Sequence, residues 1–294
     1  GLFKKLIIAD VLAKFVAPIF QNPEHLNGFT LFLGIALARY MIFADFSAYA
    51  DMAVASAGLL GIRIRQNFVR PFFATSLIDY WRRWHISLHD WMKDYVFFSL
   101  SLTSLGRKLG IYFCLIASFL FMGVWHDIGE TFLTVGLWHG IFISLDYMTR
   151  DRRNHLAERL GLNRLPLLYR LSQMTITFVI FIMPPTVFFL AKSLEDARTV
   201  FFGVLNGGWS VSDIASSLSS LTGNHQPSLV LLLQALAAIV AVETLHIVQA
   251  NGGIRDRILR LPLPVRIALY IALFVVLVVY GQTFGERPYI YIQF

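Results

Sequence analysis

Apolar runs of roughly 18 to 25 residues, each long enough to cross a bilayer, recur along this chain. Short segments between them hold most of its Arg, Lys, Asp and Glu. Lipid offers no hydrogen bonds to an open backbone, so a spanning segment must be a helix or part of a closed barrel. Unbroken runs such as residues 267–280 lack the in-out alternation of a barrel strand. The pattern predicts an all-α, polytopic integral membrane helical bundle with short re-entrant or interfacial helices. Composition agrees, because 15% of the residues are charged and 56% apolar, whereas a soluble domain carries about 25% charged residues.

The net charge of +7 does not point to nucleic acid. The basic residues form clusters between apolar runs (Arg63, Arg65 and Arg70; Arg82 and Arg83; Arg150, Arg152 and Arg153; Arg255, Arg257, Arg260 and Arg266) rather than one soluble face. Such clusters are what the positive-inside rule produces. The single cysteine, Cys114, excludes an internal disulfide framework. The chain opens on Gly1 without an initiator Met or signal peptide, so it reads as starting within a longer protein, with upstream helices expected.

Residues 6–20 read as a short membrane-entering or interfacial helix anchored by Lys4 and Lys5. Residues 29–60 form a long apolar helix whose Arg39, Asp45 and Asp51 must face the interior or a wet cavity. Over residues 76–95, Leu77, Trp81, Trp84, Leu88, Trp91 and Tyr95 alternate at spacings of four and three, which predicts one amphipathic helix. Two close apolar helices follow, at 109–125 and 132–145, then a charged, water-facing connection at 150–164. Further spans are expected at 171–191, kinked at Pro184 and Pro185, at 229–248 and at 267–284. The segment 203–227 reads as a loop or short interfacial helix, and no repeat or second domain is visible.

Four histidines stand in or beside the central helices: His85, His89, His126 and His139, of which His85, His126 and His139 each follow a tryptophan. An imidazole in a low-dielectric pocket can take a proton from a hydroxyl and return it, as acyl transfer requires. The plainer reading is a hydrogen bond between helices, which weighs as much for His139 and more for His89. His85 and His89 are also at metal-ligand spacing on a helix, but no Glu stands between them as in His-Glu-x-x-His and no third ligand is near, so no metal is expected.

Five motifs in series carry a resemblance: Phe46-Ser47-Ala48-Tyr49-Ala50-Asp51-Met52-Ala53; Asn67-Phe68-x-Arg70-Pro71-Phe72; Trp81-Arg82-Arg83-Trp84-His85-Ile86-Ser87-Leu88; Gly123-Val124-Trp125-His126; and Gly136-Leu137-Trp138-His139-Gly140. Together they resemble the membrane-bound O-acyltransferase (MBOAT) family, in its bacterial branch of alginate O-acetyltransferases and teichoic-acid D-alanyl transfer proteins. The opening Gly1-Leu2-Phe3-Lys4-Lys5 and the closing Tyr289-Ile290-Tyr291-Ile292-Gln293-Phe294 are similar too. The chain therefore reads as a single MBOAT-like domain over residues 1–294.

The resemblance implies a helical core around a central tunnel, with His126 as the proton-transferring base and His85 placing a substrate and stabilising charge. His139, Asp127, Trp84 and Trp125 would support them. Asp127 stands where this branch usually has glycine, and a carboxylate there would favour imidazolium. An acyl thioester, acetyl-CoA in the first reading, would enter from the cytoplasm with no bound cofactor. Its phosphates would meet Arg82, Arg83 and Arg70, unless these only anchor the chain by the positive-inside rule. Asp45 and Asp51 would pack against those arginines. The implied setting is a multi-pass protein of the bacterial cytoplasmic membrane, surrounded by membrane lipid, working with an extracytoplasmic polysaccharide-modifying partner and no nucleic acid. D-alanyl transfer from a carrier protein is the alternative within the enzyme class. A transporter or flippase is the alternative outside it, and predicts paired broken helices in two halves.

Overall fold

The computed structural model describes residues 1–222, 229–250, 254–280 and Tyr289, and among them every regular element is helical. In chain order the α-helices are α1 (Asp10–Gln21), α2 (Gly28–Leu59), α3 (Leu77–Trp81), α4 (Ile86–Trp91), α5 (Phe98–Leu102), α6 (Ser104–His126) and α7 (Glu130–Arg159). They continue with α8 (Pro166–Ile176), α9 (Met183–Leu190), α10 (Leu194–Leu205), α11 (Val211–Thr222), α12 (Leu229–Ala250), α13 (Ile254–Leu259) and α14 (Leu263–Tyr280). Wider π-helical turns, Lys4–Ala9, Met92–Phe97 and Thr177–Ile182, join several of them. Among the described residues, four helical stretches are long and apolar enough to cross a membrane: Gly28–Leu59, Ser104–His126, Pro166–Leu190 and Leu229–Gln249. This is a helical membrane protein. The expectations for 281–284 and for the closing motif, apart from Tyr289, fall outside the described residues.

The chain divides into two units, one of Gly1–Ile64 with the chain from Gly207, the other of Arg65–Asn206. In the first, the opening helix is no interfacial anchor: Ile8, Leu12, Phe15 and Ile19 are all buried within the unit. Its lysines are consumed internally. Lys5 Nζ lies 2.7 Å from Asp45 and 2.9 Å from Asp10, and Lys4 Nζ lies 2.8 Å from Asp51. Asp45 and Asp51 therefore pair with these lysines, not with the arginines expected from sequence. A buried cation held by carboxylates satisfies the desolvation cost that an isolated charge in lipid would incur. Asn27 caps α2, its side chain accepting from Thr30 N at 2.8 Å.

In the second unit the expected helix over 76–95 is broken. Ser76 caps α3 by accepting from Asp79 N at 3.1 Å, but α3 stops at Trp81 and α4 begins only at Ile86. The stretch expected as a water-facing connection at 150–164 is, up to Arg159, the exposed end of α7. Near the two prolines the helical stretch continues but widens: the π turn Thr177–Ile182 lies one turn before them, where Pro184 and Pro185 offer no N–H to the carbonyls of Ile180 and Phe181.

Asp146 ties α7 to α3. Its Oδ2 accepts from Ile78 N at 3.0 Å, and its Oδ1 meets Arg153. An unpaired helix-start amide in a buried setting is costly. Asp146→Ala should lower stability by about 1–3 kcal/mol, seen as an earlier thermal transition in detergent. Asp146→Asn, which keeps an acceptor, should recover part of the loss.

Candidate functional site

The break between α3 and α4 places the first histidine. His85 adopts a left-handed backbone, φ 45° and ψ 53°, which costs a non-glycine residue about 1–3 kcal/mol unless its surroundings impose it. Asn67 imposes it: its carbonyl accepts from Ile86 N at 3.0 Å and its side-chain oxygen from Ser87 N at 3.0 Å. Val69 N donates to Arg83 O at 2.9 Å. The Asn67–Pro71 motif is thus a clamp that turns the chain so that His85 points inward, 7% exposed. Sequence reading gave Asn67 no role, since its partners lie about twenty residues on.

The second histidine closes α6. His126 packs against Trp125 at 4.8 Å between ring centroids, Phe132 at 6.1 Å and Phe189 at 6.0 Å. Trp125 also faces His85, at 6.4 Å, and the two imidazoles are close enough that charge on His126 depresses protonation of His85. The structure therefore brings together His85, His126 and Trp125.

It places the other expected residues around them. Trp84 stacks on Tyr80 at 5.6 Å and meets Phe68 edge-on at 5.0 Å, buttressing the turn. His139 is buried edge-on against Trp81 at 5.0 Å, beside Phe119, which makes it part of the packing between α3, α6 and α7. Asp127 accepts from Ile128 N at 2.7 Å and so shapes the turn after α6. Arg83 is held by Asp79 at 2.8 Å, and Arg70, itself left-handed at φ 49°, lies over the Phe73 ring. Of the three arginines expected to meet the donor, Arg82 borders a cavity.

That cavity, of about 470 Å³, is bordered by Trp81, Phe119 and Ile143, with Arg82, His89, Lys93 and Arg150 among its polar residues. Its wall includes Ile86, next to His85, and Met122, one turn before His126, although neither imidazole lines it. Such a cavity suits a molecule with an extended, weakly polar arm and an anionic end. His89 turns to Asp90, 3.6 Å away.

Burial first, and then charge on His126, lower the His85 imidazole from 6.5 to about 3, so it stays neutral at physiological pH. The unfolded chain would take up this proton near 6.5 while the folded chain resists it down to about 3. The stabilising contribution of the neutral ring is therefore full above 6.5 and declines as pH falls towards 3. Relative to His85→Gln, which does not titrate, the native chain should lose stability between about pH 7.5 and about pH 4.5. Thermal unfolding in detergent at the two pH values checks this.

Comparison with known proteins adds to the geometry. Residues 1–192 match the family model described as MBOAT, membrane-bound O-acyltransferase family. The chain is 30% identical over 259 residues to a probable alginate O-acetylase of Pseudomonas syringae pv. tomato, covering 87% of this chain and 44% of that protein. It is 33% identical over 211 residues to a peptidoglycan O-acetyltransferase of Helicobacter pylori, covering 70% and 38%. Against a teichoic acid D-alanyltransferase of Bacillus subtilis it is 32% identical over 120 residues, covering 37% and 27%. The chain spans less than half the length of these relatives.

Proposed function

The chain belongs to the membrane-bound O-acyltransferase family, and from that premise we propose that it carries the transfer centre of an enzyme that acetylates an extracytoplasmic polysaccharide. The donor in this reading is a cytoplasmic thioester, acetyl-CoA, and the setting is the bacterial cytoplasmic membrane. The observation that carries the proposal is the convergence of His85, from the turn between α3 and α4, and His126, from the end of α6, on one tryptophan.

His126 accepts the proton of the acceptor hydroxyl as its oxygen attacks the thioester carbonyl. Collapse of the tetrahedral intermediate breaks the C–S bond, and the departing thiolate takes the proton back. His85, neutral, has one N–H to offer the developing oxyanion and needs no reorganisation to do so. Arg82 and Lys93, at the cavity described above, would hold the donor's phosphates. A polysaccharide-modifying partner would complete delivery on the outer side.

The relatives named for O-acetylation align over more of this chain, 87% and 70%, than the one named for D-alanylation, 37%. That supports acetyl over D-alanyl transfer. Membranes containing the protein, supplied with labelled acetyl-CoA, should pass label to the polysaccharide. Label entering only from a D-alanine-loaded carrier protein would reverse the donor assignment.

A further inference from the structure

A second, larger cavity in the Arg65–Asn206 unit, of about 810 Å³, adjoins the first and shares Arg82 and Arg150 with it. Its volume is in the range of roughly 300–1,000 Å³ typical of small-molecule sites. Phe142, Leu156, Ile176 and Phe181 give it a hydrocarbon wall. Arg150 and Arg153, three apart and so on one face of α7, give it a cationic one, with Arg82 from the end of α3; of the two carboxylates that also line it, Asp146 is paired with Arg153 and Asp79 with Arg83.

Two features identify what such a cavity takes. Asp146 fixes Arg153 in place while Thr149 meets its other terminal nitrogen; Arg82 and Arg150 make no ion pair or hydrogen bond to a described residue. The cavity thus presents cationic donors held ready beside apolar surface. Moreover, α8 and the π turn that wall it belong to the membrane span Pro166–Leu190. Leu167 and Leu168 on α8 are 68% and 61% exposed, as expected for side chains in lipid. A ligand matched to both walls has a hydrocarbon part and a negative head.

We propose that this cavity binds an anionic phospholipid, its phosphate clamped by Arg150 and Arg153 and its acyl chain lying along Phe142, Leu156 and Phe181. Basic pockets between membrane helices recognise acidic lipid headgroups through the same charge-assisted hydrogen bonds. Arg82 and Arg150 border both cavities, so the bound headgroup sits beside the residues proposed to hold the donor.

The test is titration of the purified chain, in neutral detergent, with phosphatidylglycerol in mixed micelles, read by native mass spectrometry. Arg150→Gln with Arg153→Gln should weaken binding roughly tenfold or more. Arg152→Gln, in the same basic run but outside the cavity, should stay within about twofold of the native chain. Because Arg153 also holds Asp146, Leu156→Trp provides a second variant, which obstructs the apolar wall, keeps every charge and should weaken binding as well. Phosphatidylcholine should bind poorly, and neither coenzyme A nor inorganic phosphate in excess should displace the lipid. Equal loss from Arg152→Gln would reduce the effect to surface charge and overturn the site. Displacement by coenzyme A would make the cavity part of the donor site, and displacement by phosphate would make it an anion site without lipid recognition. An unchanged Leu156→Trp would remove the proposed acyl-chain contact.

Discussion

Replacing His126 with alanine should lower acyl transfer by roughly 10²–10⁴-fold, the range that a positioned general base contributes. Protein level in the membrane should change little. The ring sits at the end of α6, half-buried among Trp125, Phe132 and Phe189, so its removal trims one edge of an aromatic cluster that remains closed by Phe132 and Phe189, 5.3 Å apart. His126→Gln separates shape from chemistry, because glutamine restores polar bulk but takes no proton at neutral pH. Both variants should therefore fail alike in kcat with donor KM nearly unchanged, as expected for an interaction made only in the transition state. His85→Gln should be milder, since an amide N–H still reaches the oxyanion. Measured acetylation of polysaccharide in cells, normalised to membrane-inserted protein, decides the matter. Transfer retained within a few-fold in both His126 variants would remove that residue from the chemistry.

Helix type and the major spans were legible in the sequence because lipid leaves the backbone few choices. The run 109–125 falls within α6 and the run 132–145 within α7, and Arg39 and Asp45 are buried as the cost of intramembrane charge requires, whereas Asp51, expected to face the interior with them, is exposed. The broken helix at His85 was not legible. The four-and-three spacing through residues 77–95 describes real packing faces, but two hydrogen bonds from Asn67 override the helical preference locally, and a periodicity is blind to a distant residue. The same limit hid the pairing of Asp45 and Asp51 with Lys5 and Lys4. In sequence those lysines look like an interfacial anchor; only the packing of the opening helix against α2 shows that Lys5 is spent inside, while Lys4 meets the exposed Asp51. Arg150 likewise reads as one of several topogenic arginines until α7 brings it to both cavities with Arg82.

Substituting leucine for Gly136 should destabilise the protein by more than about 3 kcal/mol, beyond the usual cost of overpacking, because backbone and not a side chain stands in the way. A Cβ at Gly136 would lie 2.5 Å from Phe119 O and 3.1 Å from Leu120 Cα, and one at Gly123 would lie 2.4 Å from Phe132 O. Gly140, four residues on, would put a Cβ 2.8 Å from Ile116 Cα, so Gly136-x-x-x-Gly140 is the small-residue stripe by which membrane helices close on one another. No rotamer relieves these contacts; α6 and α7 must move apart. That separation also disturbs the site, since His126 ends α6 and stacks on Phe132 of α7, while His139 lies between the two glycines and packs on Trp81 and Phe119. The expected result is a sharp fall in membrane-inserted protein and in its unfolding temperature, with Gly136→Ala intermediate because its single methyl meets the same carbonyl. The order matters for how the motif is read. If Gly136→Leu accumulated normally and lost only activity, the glycines would be serving substrate passage, whereas loss of folded protein in proportion to side-chain volume places their work in holding α6 and α7 at the separation that the histidine pair requires.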